Sequence, residues 1–220
     1  FRMSAVLETR GLTKGFGAQN VLDGVDLAVA PGESLVVIGQ SGTGKSVLLK
    51  CILGLETPDA GQVLWQGQPL VGAHRAAFLD GFGMLFQGAA LFDSLTVWQN
   101  VAFRLRAPLG DRKAREIAIE KLARVGLGPE VADLHPAALS GGMAKRAGLA
   151  RAIAADPKAI FFDEPTTGLD PIRAARINAL IRDIVTETGA SAITITHDMT
   201  TVRTVGDRVA MLAEGRVWWQ

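Results

Sequence analysis

Short apolar runs separated by turns make up the first forty residues of this 220-residue chain. The runs SAVLET, NVLDGVDLAVA and ESLVVIG have β-type composition, and the turns between them contain glycine or proline, as at Pro31 and Gly32. The run SLVVI at 34–38 is short and continuously apolar, which is typical of a strand buried on both faces. We therefore expect antiparallel β structure at the N-terminus, followed by a buried strand.

The pattern changes to a helical period between about residues 90 and 155. The segment DRKAREIAIEKLARV at 111–125 places apolar side chains on one face of a helix, and SLTVWQNVAFRLR at 94–106 is also predicted to be helical. The members of the apolar face are Ala114, Ile117, Ala118, Leu122 and Val125. This block is therefore predicted to be a helical subdomain.

Strand patterns return after residue 155. The runs AIFFDEP at 159–165 and SAITITHD at 191–198 predict buried strands on either side of a helix at about 171–188, and a strand pair is predicted at 208–219. A hairpin is also predicted at 58–71, before the helical block. The fold class is thus predicted to be α/β, with an N-terminal antiparallel β subdomain and an inserted helical subdomain.

The length of the chain suits one domain. We expect residues 3–220 to form it, with the helical subdomain at about 90–155 inside it. Phe1 and Arg2 precede Met3 and are expected to be an expression remnant. No apolar stretch approaches the roughly 18–20 residues needed to span a bilayer, so we expect a chain that is soluble or peripheral to a membrane.

Glycine usage and charge narrow the functional classes. The 25 glycines exceed the ordinary usage of about 7% and indicate glycine-rich functional turns. Lys and Arg total 23 against 22 Asp and Glu, and no long run of like charges occurs, so we expect no nucleic-acid partner. Cys51 is the single cysteine, which excludes an internal disulfide and predicts a small buried hydrophobe.

A glycine-rich loop follows the predicted strand at 34–38. Its residues fit G-x-x-x-x-G-K-[ST] and are Gly39, Gln40, Ser41, Gly42, Thr43, Gly44, Lys45 and Ser46. Backbone N–H groups of such a loop face phosphate oxygens, and the following helix adds the partial positive charge of its N-terminus. Lys45 is predicted to reach the β- and γ-phosphates of a nucleotide, and the Ser46 hydroxyl to bind Mg²⁺.

Carboxylate and imidazole side chains follow two of the predicted buried strands. Asp163 and Glu164 come at the end of AIFF, and His197 comes at the end of SAITIT. Because such strand ends can share one edge of a sheet, we expect Asp163 to orient the Mg²⁺ ligands and Glu164 to polarise a water. His197 is expected to contact the γ-phosphate. The alternatives are a surface turn for the acidic pair and a structural role for a lone histidine.

The stretch LSGGMAKRAGLARAI at 139–153 predicts a helix whose first N–H groups are uncovered. Ser140 is a good N-cap, and Gly141 and Gly142 place no side chains over the first turn. Such a helix start can bind an anion, but it contributes only about 0.3–2 kcal/mol and supplements a site rather than making one. The alternative is a plain capped helix.

Taken in their order and spacing, these motifs resemble those of the ATP-binding subunits of ABC transporters. The motifs are the loop at 39–46, Gln87 in MLFQG, LSGGM at 139–143, the FFDEP strand end, the turn at 168–170 and His197. The resemblance covers essentially the whole chain and implies the P-loop fold of ABC ATPases, with ATP and Mg²⁺ as cofactors. It also implies a head-to-tail homodimer, in which ATP lies between the loop of one copy and the signature helix of the other.

The resemblance also implies roles for single residues. Phe16 stands where an aromatic side chain, more often tyrosine, stacks on adenine, and Asp170 stands where a carboxylate couples the two sites of the dimer. Gln87 matches the residue that links Mg²⁺ to the helical subdomain, and Glu164 matches the catalytic base. The implied catalytic set is Lys45, Gln87, Glu164 and His197; the metal ligands are Ser46, Gln87 and Asp163; the residues acting on the partner's ATP are Ser140, Gly141 and Gly142.

One departure from the common motif narrows the resemblance. Most ABC ATPases carry glutamine after LSGG, whereas this chain carries Met143 and is similar there, and in LFQGAALFDSLTVWQNV and PTTGLDPI, to the ATPases of Mla-type phospholipid transporters. This similarity implies permease subunits, an MCE-domain substrate-binding protein and a STAS-domain protein as partners, at the cytoplasmic face of the bacterial inner membrane. Large apolar residues at 91–103 are expected to divide between the core and a groove for a permease helix.

Other interpretations stay open at this point. The cargo could instead be an amino acid or a metal chelate. A DNA-repair or chromosome ATPase shares these motifs but inserts a long coiled coil, for which the segment between Gln87 and Ser140 is too short. A soluble ABC protein that acts on ribosomes normally carries two such units in one chain.

Overall fold

The structure is a computed structural model that describes residues 5–219, so the predicted remnant at Phe1 and Arg2 lies outside the described residues. Its strands are β1 (Leu7–Phe16), β2 (Gln19–Val29), β3 (Ser34–Ile38), β4 (Ala60–Trp65), β5 (Gln68–Pro69), β6 (Phe82–Leu85), β7 (Ala159–Asp163), β8 (Ser191–Thr196), β9 (Arg208–Ala213) and β10 (Arg216–Trp219). Its α-helices are α1 (Lys45–Leu53), α2 (Gly72–Gly81), α3 (Val97–Val101), α4 (Arg106–Leu109), α5 (Asp111–Arg124), α6 (Gly141–Ile153), α7 (Pro171–Thr188) and α8 (Met199–Val205). Short 3₁₀ turns lie at Pro129–Val131 and Pro136–Ala138.

Two sheets organise these strands. A four-stranded antiparallel sheet has the order β2-β1-β4-β5, and a six-stranded sheet has the order β10-β9-β3-β8-β7-β6. In the second sheet all neighbouring strands are parallel except β9 and β10, which are antiparallel. The predicted α/β class with antiparallel β structure near the N-terminus is therefore confirmed.

Both faces of the six-stranded sheet are buried. Successive residues of each strand point to opposite faces, so each strand contributes side chains to both. On one side, Val36 and Phe162 pack with the apolar faces of α5, α6 and α7. On the other side, Leu35, Val37 and Phe161 pack with α1 and the four-stranded sheet. This double burial explains the continuous apolar runs from which β3 and β7 were predicted.

Most of the residues predicted to form the apolar face of α5 are buried. Ala114, Ala118 and Leu122 are fully buried, while Ile117 is only half-buried and Ile119 packs against the same core. None of the helices within residues 5–219 has the length and apolar character needed to cross a bilayer.

The prediction of a helix through 94–106 is wrong in its extent, because α3 covers only Val97–Val101 and α4 begins at Arg106. Pro108 supplies a physical reason. A proline has no N–H to donate to the carbonyl of the residue four positions earlier, and its ring clashes with that carbonyl. Within a helix it is therefore tolerated only in the first turn. The helix must therefore restart close to Pro108 rather than run through it.

Helix α2 and strand β6 were not predicted, and aromatic packing holds them in place. The Phe78 ring of α2 stacks on Phe82 of β6 at a centroid distance of 4.9 Å and meets Trp65 of β4 edge-on at 5.2 Å. Phe78 is 1% exposed. This single side chain thus joins the two sheets beside α2.

Replacing Phe78 with alanine should remove this packing and lower the free energy of unfolding by about 3–5 kcal/mol. Urea denaturation followed by circular dichroism would measure the loss. The neighbouring Leu79, which is 36% exposed, provides a matched control, and Leu79→Ala should cost much less. Equal losses in the two variants would contradict the packing of α2 through Phe78.

Candidate functional site

The predicted phosphate-binding loop connects β3 to the start of α1, and its glycines fit their positions closely. Gly42 and Gly44 have φ angles of 83° and 99°, which favour glycine over residues with a side chain. A Cβ on Gly39 would lie 2.4 Å from the carbonyl oxygen of Leu212 in β9. The loop therefore keeps its backbone tightly curled above the centre of the parallel sheet.

Lys45 folds back over this loop. Its Nζ donates hydrogen bonds to the carbonyl oxygens of Gly39 and Gln40, at 2.7 and 2.8 Å. Burial lowers the pKa of Lys45, while the negative charges of Glu164 and Asp163 oppose that shift. The ammonium group thus lies between the loop and the strand-end carboxylates.

The ends of β7 and β8 bring Glu164 and His197 into contact. His197 Nδ1 lies 2.8 Å from Glu164 Oε1, and the hydroxyls of Thr167 and Thr196 donate to Oε2 at 3.2 and 3.4 Å. Glu164 itself has a left-handed backbone conformation with φ of 46°. These contacts fix the carboxylate at the edge of the sheet, as its position after a buried strand predicted.

Asp163 precedes Glu164 and is half-buried. Its pKa is raised, first by burial and second by the charge of Glu164, while the charges of Lys145 and Lys45 act in the opposite direction. The charges of these two carboxylates and two lysines therefore influence one another, and an added positive charge would favour the ionised form of Asp163.

One open cavity of about 740 Å³ brings most of the predicted site residues together. The predicted residues that line it are Gln40, Ser41, Gly42, Gly44, Lys45, Ser46, Gln87, Asp163, Glu164 and His197. Gly39 and Thr43 lie in the same loop, where the Thr43 hydroxyl donates to the carbonyl of Gln40 at 2.9 Å. The glycine-rich loop and the strand-end carboxylate and imidazole groups thus face one space.

The oxygen donors at this cavity fit Mg²⁺. Ser46, Gln87 and Asp163 offer hydroxyl, amide and carboxylate oxygens, which are the hard ligands that Mg²⁺ prefers. No group of three or more His, Cys, Asp or Glu side chains suited to a metal occurs within residues 5–219. The set therefore fits an ion that is also held by phosphate oxygens and water, as is usual for Mg²⁺.

A buried lysine at the back of the cavity was not predicted. Lys145 of α6 is 5% exposed, and its Nζ donates to the carbonyl of Gln87 and lies 3.5 Å from the carbonyl of Glu164. Burial lowers the pKa of Lys145, and the charges of Asp163 and Glu164 oppose this shift. No local pattern marks this burial, which follows from the close approach of α6 to β6.

Three predicted elements lie outside the cavity of their own chain. Phe16 is 48% exposed at the end of β1, with Lys14 Nζ 5.3 Å from its ring centre. Ser140 caps α6 by accepting the N–H of Met143 at 3.3 Å, as predicted, and Asp170 caps α7. Gly141 and the half-buried Gly142 at the start of α6 are likewise not among the residues that line the cavity.

A second, apolar cavity of about 220 Å³ lies beside β6, where a groove was expected. The expected division of the apolar residues is observed, because Val97 and Trp98 are buried whereas Phe92 and Phe103 are about half exposed. The rings of Phe92 and Phe103 lie 4.9 Å apart and line this groove together with Phe86.

The same fold occurs in solved structures. The dimeric post-hydrolysis state of the ATP-binding cassette MJ0796, bound to ADP and Pi, is similar with a TM-score of 0.86 and 29% sequence identity. The match covers 97% of this chain and 97% of that chain. The fold is therefore that of an ABC ATPase cassette, as the sequence motifs implied.

A family model described as ABC transporter matches residues 22–167, from β2 to beyond the Asp163–Glu164 pair. The chain belongs to the ABC transporter family.

Curated relatives have different names. The chain is 42% identical to the probable ribonucleotide transport ATP-binding protein mkl of Mycobacterium bovis, over 96% of this chain and 60% of that protein. It is 42% identical to the methionine import ATP-binding protein MetN of Leifsonia xyli, over 98% and 65% respectively. It is 40% identical to protein TRIGALACTOSYLDIACYLGLYCEROL 3, chloroplastic, of Arabidopsis thaliana, over 98% and 68%. The chain thus spans about three fifths of the length of the mycobacterial relative.

Replacing Gly39 with alanine should destabilise the loop, because the new Cβ would lie 2.4 Å from the Leu212 carbonyl oxygen and 2.6 Å from Thr43 Oγ1. Overpacking of this kind costs about 1–3 kcal/mol, and we expect the Tm to fall by roughly 2–12 °C in differential scanning fluorimetry. Gly88→Ala is the control, since a Cβ on Gly88 would have no described atom within 4 Å. A Gly39→Ala variant as stable as the control would contradict the close approach of loop and β9.

Proposed function

We propose that this chain is the ATP-hydrolysing subunit of a bacterial ABC transporter. The observation that carries the proposal is the single cavity in which the phosphate-binding loop faces Glu164 and His197. Lys45 would contact the β- and γ-phosphates, and its bonds to the loop carbonyls show that the ammonium already lies over the loop. Ser46, Gln87 and Asp163 would hold Mg²⁺, which supplies neutralisation of phosphate charge when bound.

Glu164 is proposed to be the general base. Its carboxylate accepts hydrogen bonds from two threonine hydroxyls and contacts His197, so its orientation is fixed at the open edge of the cavity. A carboxylate held in this way can accept a hydrogen bond, and then a proton, from a water aimed at the γ-phosphate. His197 is 67% exposed in its side chain, which leaves its ring free to contact that phosphate as well as Glu164.

We further propose a head-to-tail homodimer with composite sites. Ser140, Gly141 and Asp170 are exposed and lie outside the cavity of their own chain, so they are available to a second copy. The N-terminus of α6 attracts an anion through its uncovered N–H groups and its partial positive charge. The similar cassette MJ0796 is dimeric, which supports a dimer here. Phe16 would stack on the adenine.

Glu164→Gln tests the hydrolytic role. Loss of general-base catalysis is expected to lower the ATP turnover rate by about 10²–10⁴ and to leave an ATP-bound dimer that is detectable by size-exclusion chromatography. Phosphate release measures the turnover. Glu214 offers a matched control, because it is an exposed glutamate with a similar φ of 51°. Unchanged turnover in Glu164→Gln, or an equal loss in Glu214→Gln, would reject the assignment.

The proposed transporter places a permease helix in the apolar groove beside β6. We propose that residues 3–220 act as one nucleotide-binding domain and that the helical block at about 90–155 carries this groove. Phe92 and Phe103 supply exposed aromatic surface there, and Phe86 belongs to the loop that follows β6 and contains Gln87. Movement of a permease helix in the groove would therefore act on the loop that reaches the cavity.

The cargo is proposed to be phospholipid, moved between bacterial membranes for outer-membrane lipid asymmetry. Met143 in LSGGM and the similarity to Mla-type ATPases support this cargo, and the Arabidopsis relative, whose name contains that of a galactolipid, supports a lipid cargo in general. The partners would be permease subunits, an MCE-domain protein and a STAS-domain protein at the cytoplasmic face of the inner membrane. The names of mkl and MetN favour a second candidate, import of a ribonucleotide or an amino acid. Nucleic acid is not a proposed partner.

Purification of the intact complex from membranes distinguishes these cargoes. We expect an MCE-domain protein and phospholipid to co-purify with the chain, and ATP turnover of the complex in phospholipid vesicles to depend on the lipid. Mass spectrometry of extracted lipids and proteins gives the readout. A complex that contains a soluble-solute binding protein instead, and whose turnover rises with methionine or a ribonucleotide, would replace the phospholipid proposal but leave the ATPase proposal intact.

A further inference from the structure

Two lysines in the helical part of the chain are buried to the same extent but have different partners. Lys121 of α5 and Lys145 of α6 are each 5% exposed. Lys121 forms an ion pair with Asp156 at 2.7 Å. Within residues 5–219, no carboxylate oxygen lies within 4.0 Å of Lys145 Nζ, whose acceptors are two backbone carbonyls. A buried ammonium whose acceptors are only backbone carbonyls is unusual, because a buried charge is normally paired with an opposite charge.

The two carbonyls belong to corresponding positions beyond adjacent strands. β6 and β7 are parallel neighbours, and their ladder ends at the pair Leu85 and Phe162. Gln87 and Glu164 each lie two residues beyond that pair. The Lys145 ammonium therefore connects the two segments at the point where the backbone hydrogen bonds of the sheet no longer do so.

The same helix holds the remainder of the loop after β6. A Cβ on Gly148 would lie 2.9 Å from the Leu85 side chain, so α6 approaches β6 closely at this position. Arg151 donates to the carbonyls of Ala89 and Ala90, both at 2.6 Å. These contacts fasten the loop to α6, whereas the Lys145 contact also reaches the end of β7.

We infer that Lys145 is a positioning residue that holds the backbone of Gln87 and Glu164 at a fixed separation and so sets where their side chains lie in the cavity. Lys145 is not among the residues that line the cavity, and its polar contacts are to the backbone of Gln87 and Glu164, so the inferred role acts through those two residues. The inference rests on the proposed hydrolytic function of Glu164. It predicts an effect on turnover that acts through geometry rather than through ATP binding.

The charge of Lys145 contributes to this role. The carboxylates of Asp163 and Glu164 attract the ammonium and favour its charged form against the cost of burial. A neutral, unbranched side chain of nearly the same length would keep most of the packing of α6 but would lose both the carbonyl bonds and this attraction. Methionine is such a side chain, which makes Lys145→Met the informative substitution.

The test compares Lys145→Met, Lys145→Arg and Lys121→Met in the otherwise unchanged chain. Misplacing a reacting group by about 1 Å can cost ~10²-fold in rate. Lys145→Met is accordingly expected to lower kcat by roughly 10–100-fold while the KM for ATP changes less than about threefold. Lys145→Arg keeps donors to the carbonyls and should recover part of the rate. Lys121→Met removes an equally buried lysine away from the cavity and should leave kcat near the wild-type value.

Hydrogen exchange supplies a second readout that does not depend on turnover. Amide exchange at 86–90 and 164–167 should be faster in Lys145→Met than in the wild type or in Lys121→Met. Should Lys145→Met fail to fold, Lys145→Gln, which retains one donor group, takes its place in the same comparison.

Several results would overturn the inference. They are a wild-type kcat in Lys145→Met, a rise in KM with kcat unchanged, equal losses in Lys145→Met and Lys121→Met, and unchanged exchange at both segments. If the wild-type chain does not hydrolyse ATP, the proposed function fails instead, and the exchange comparison then decides separately whether Lys145 joins the two segments.

Discussion

Parallel pairing of β3, β8 and β7 is the constraint on which the site depends. Ile38 of β3 pairs with Thr196 of β8, and Ile195 of β8 pairs with Asp163 of β7, so the three strands end at almost the same level. The residues that follow each strand therefore meet at one edge of the sheet, which is where α/β proteins bind their ligands. The loop, the acidic pair and His197 are distant in sequence, and this register places them together.

Helix α6 supports this site without lining the cavity. Its side chains bury apolar surface on the sheet, and Lys145 and Arg151 donate to backbone carbonyls of the loop after β6, with Lys145 also reaching the carbonyl of Glu164. Its start at Ser140 and Gly141, by contrast, is exposed and is not part of the lining of that cavity. One helix thus supports the site of its own chain and, in the proposed dimer, would present its N-terminus to the site of the partner.

Much of this organisation could be predicted from local patterns. The run SLVVI coincides with β3, the helix expected at about 171–188 coincides with α7, and the acidic pair lies at the strand end as expected. These signals are local, because a strand buried on both faces must be continuously apolar and a proline or glycine marks the helix ends. The roles of the site residues stay predictions, since they depend on contacts with a nucleotide and a second copy.

Other features depend on contacts that a local pattern does not contain. Helix α2 and strand β6 are short and flanked by glycine, and only the packing of Phe78 between Trp65 and Phe82 reveals why they form. Lys145 lies in a basic helix, where a lysine is normally expected in solvent. Its burial follows from the approach of α6 to β6, which is a property of the tertiary structure.

The backbone of Glu164 has a consequence for how such a domain evolves or is engineered. A left-handed conformation at a residue with a side chain costs roughly 1–3 kcal/mol, and glycine would adopt the same φ of 46° without that cost. Backbone stability and the proposed chemistry therefore favour different residues at this one position. A library ranked only by resistance to heat would enrich chains that have lost the carboxylate, so selection for robustness has to be paired with selection for turnover.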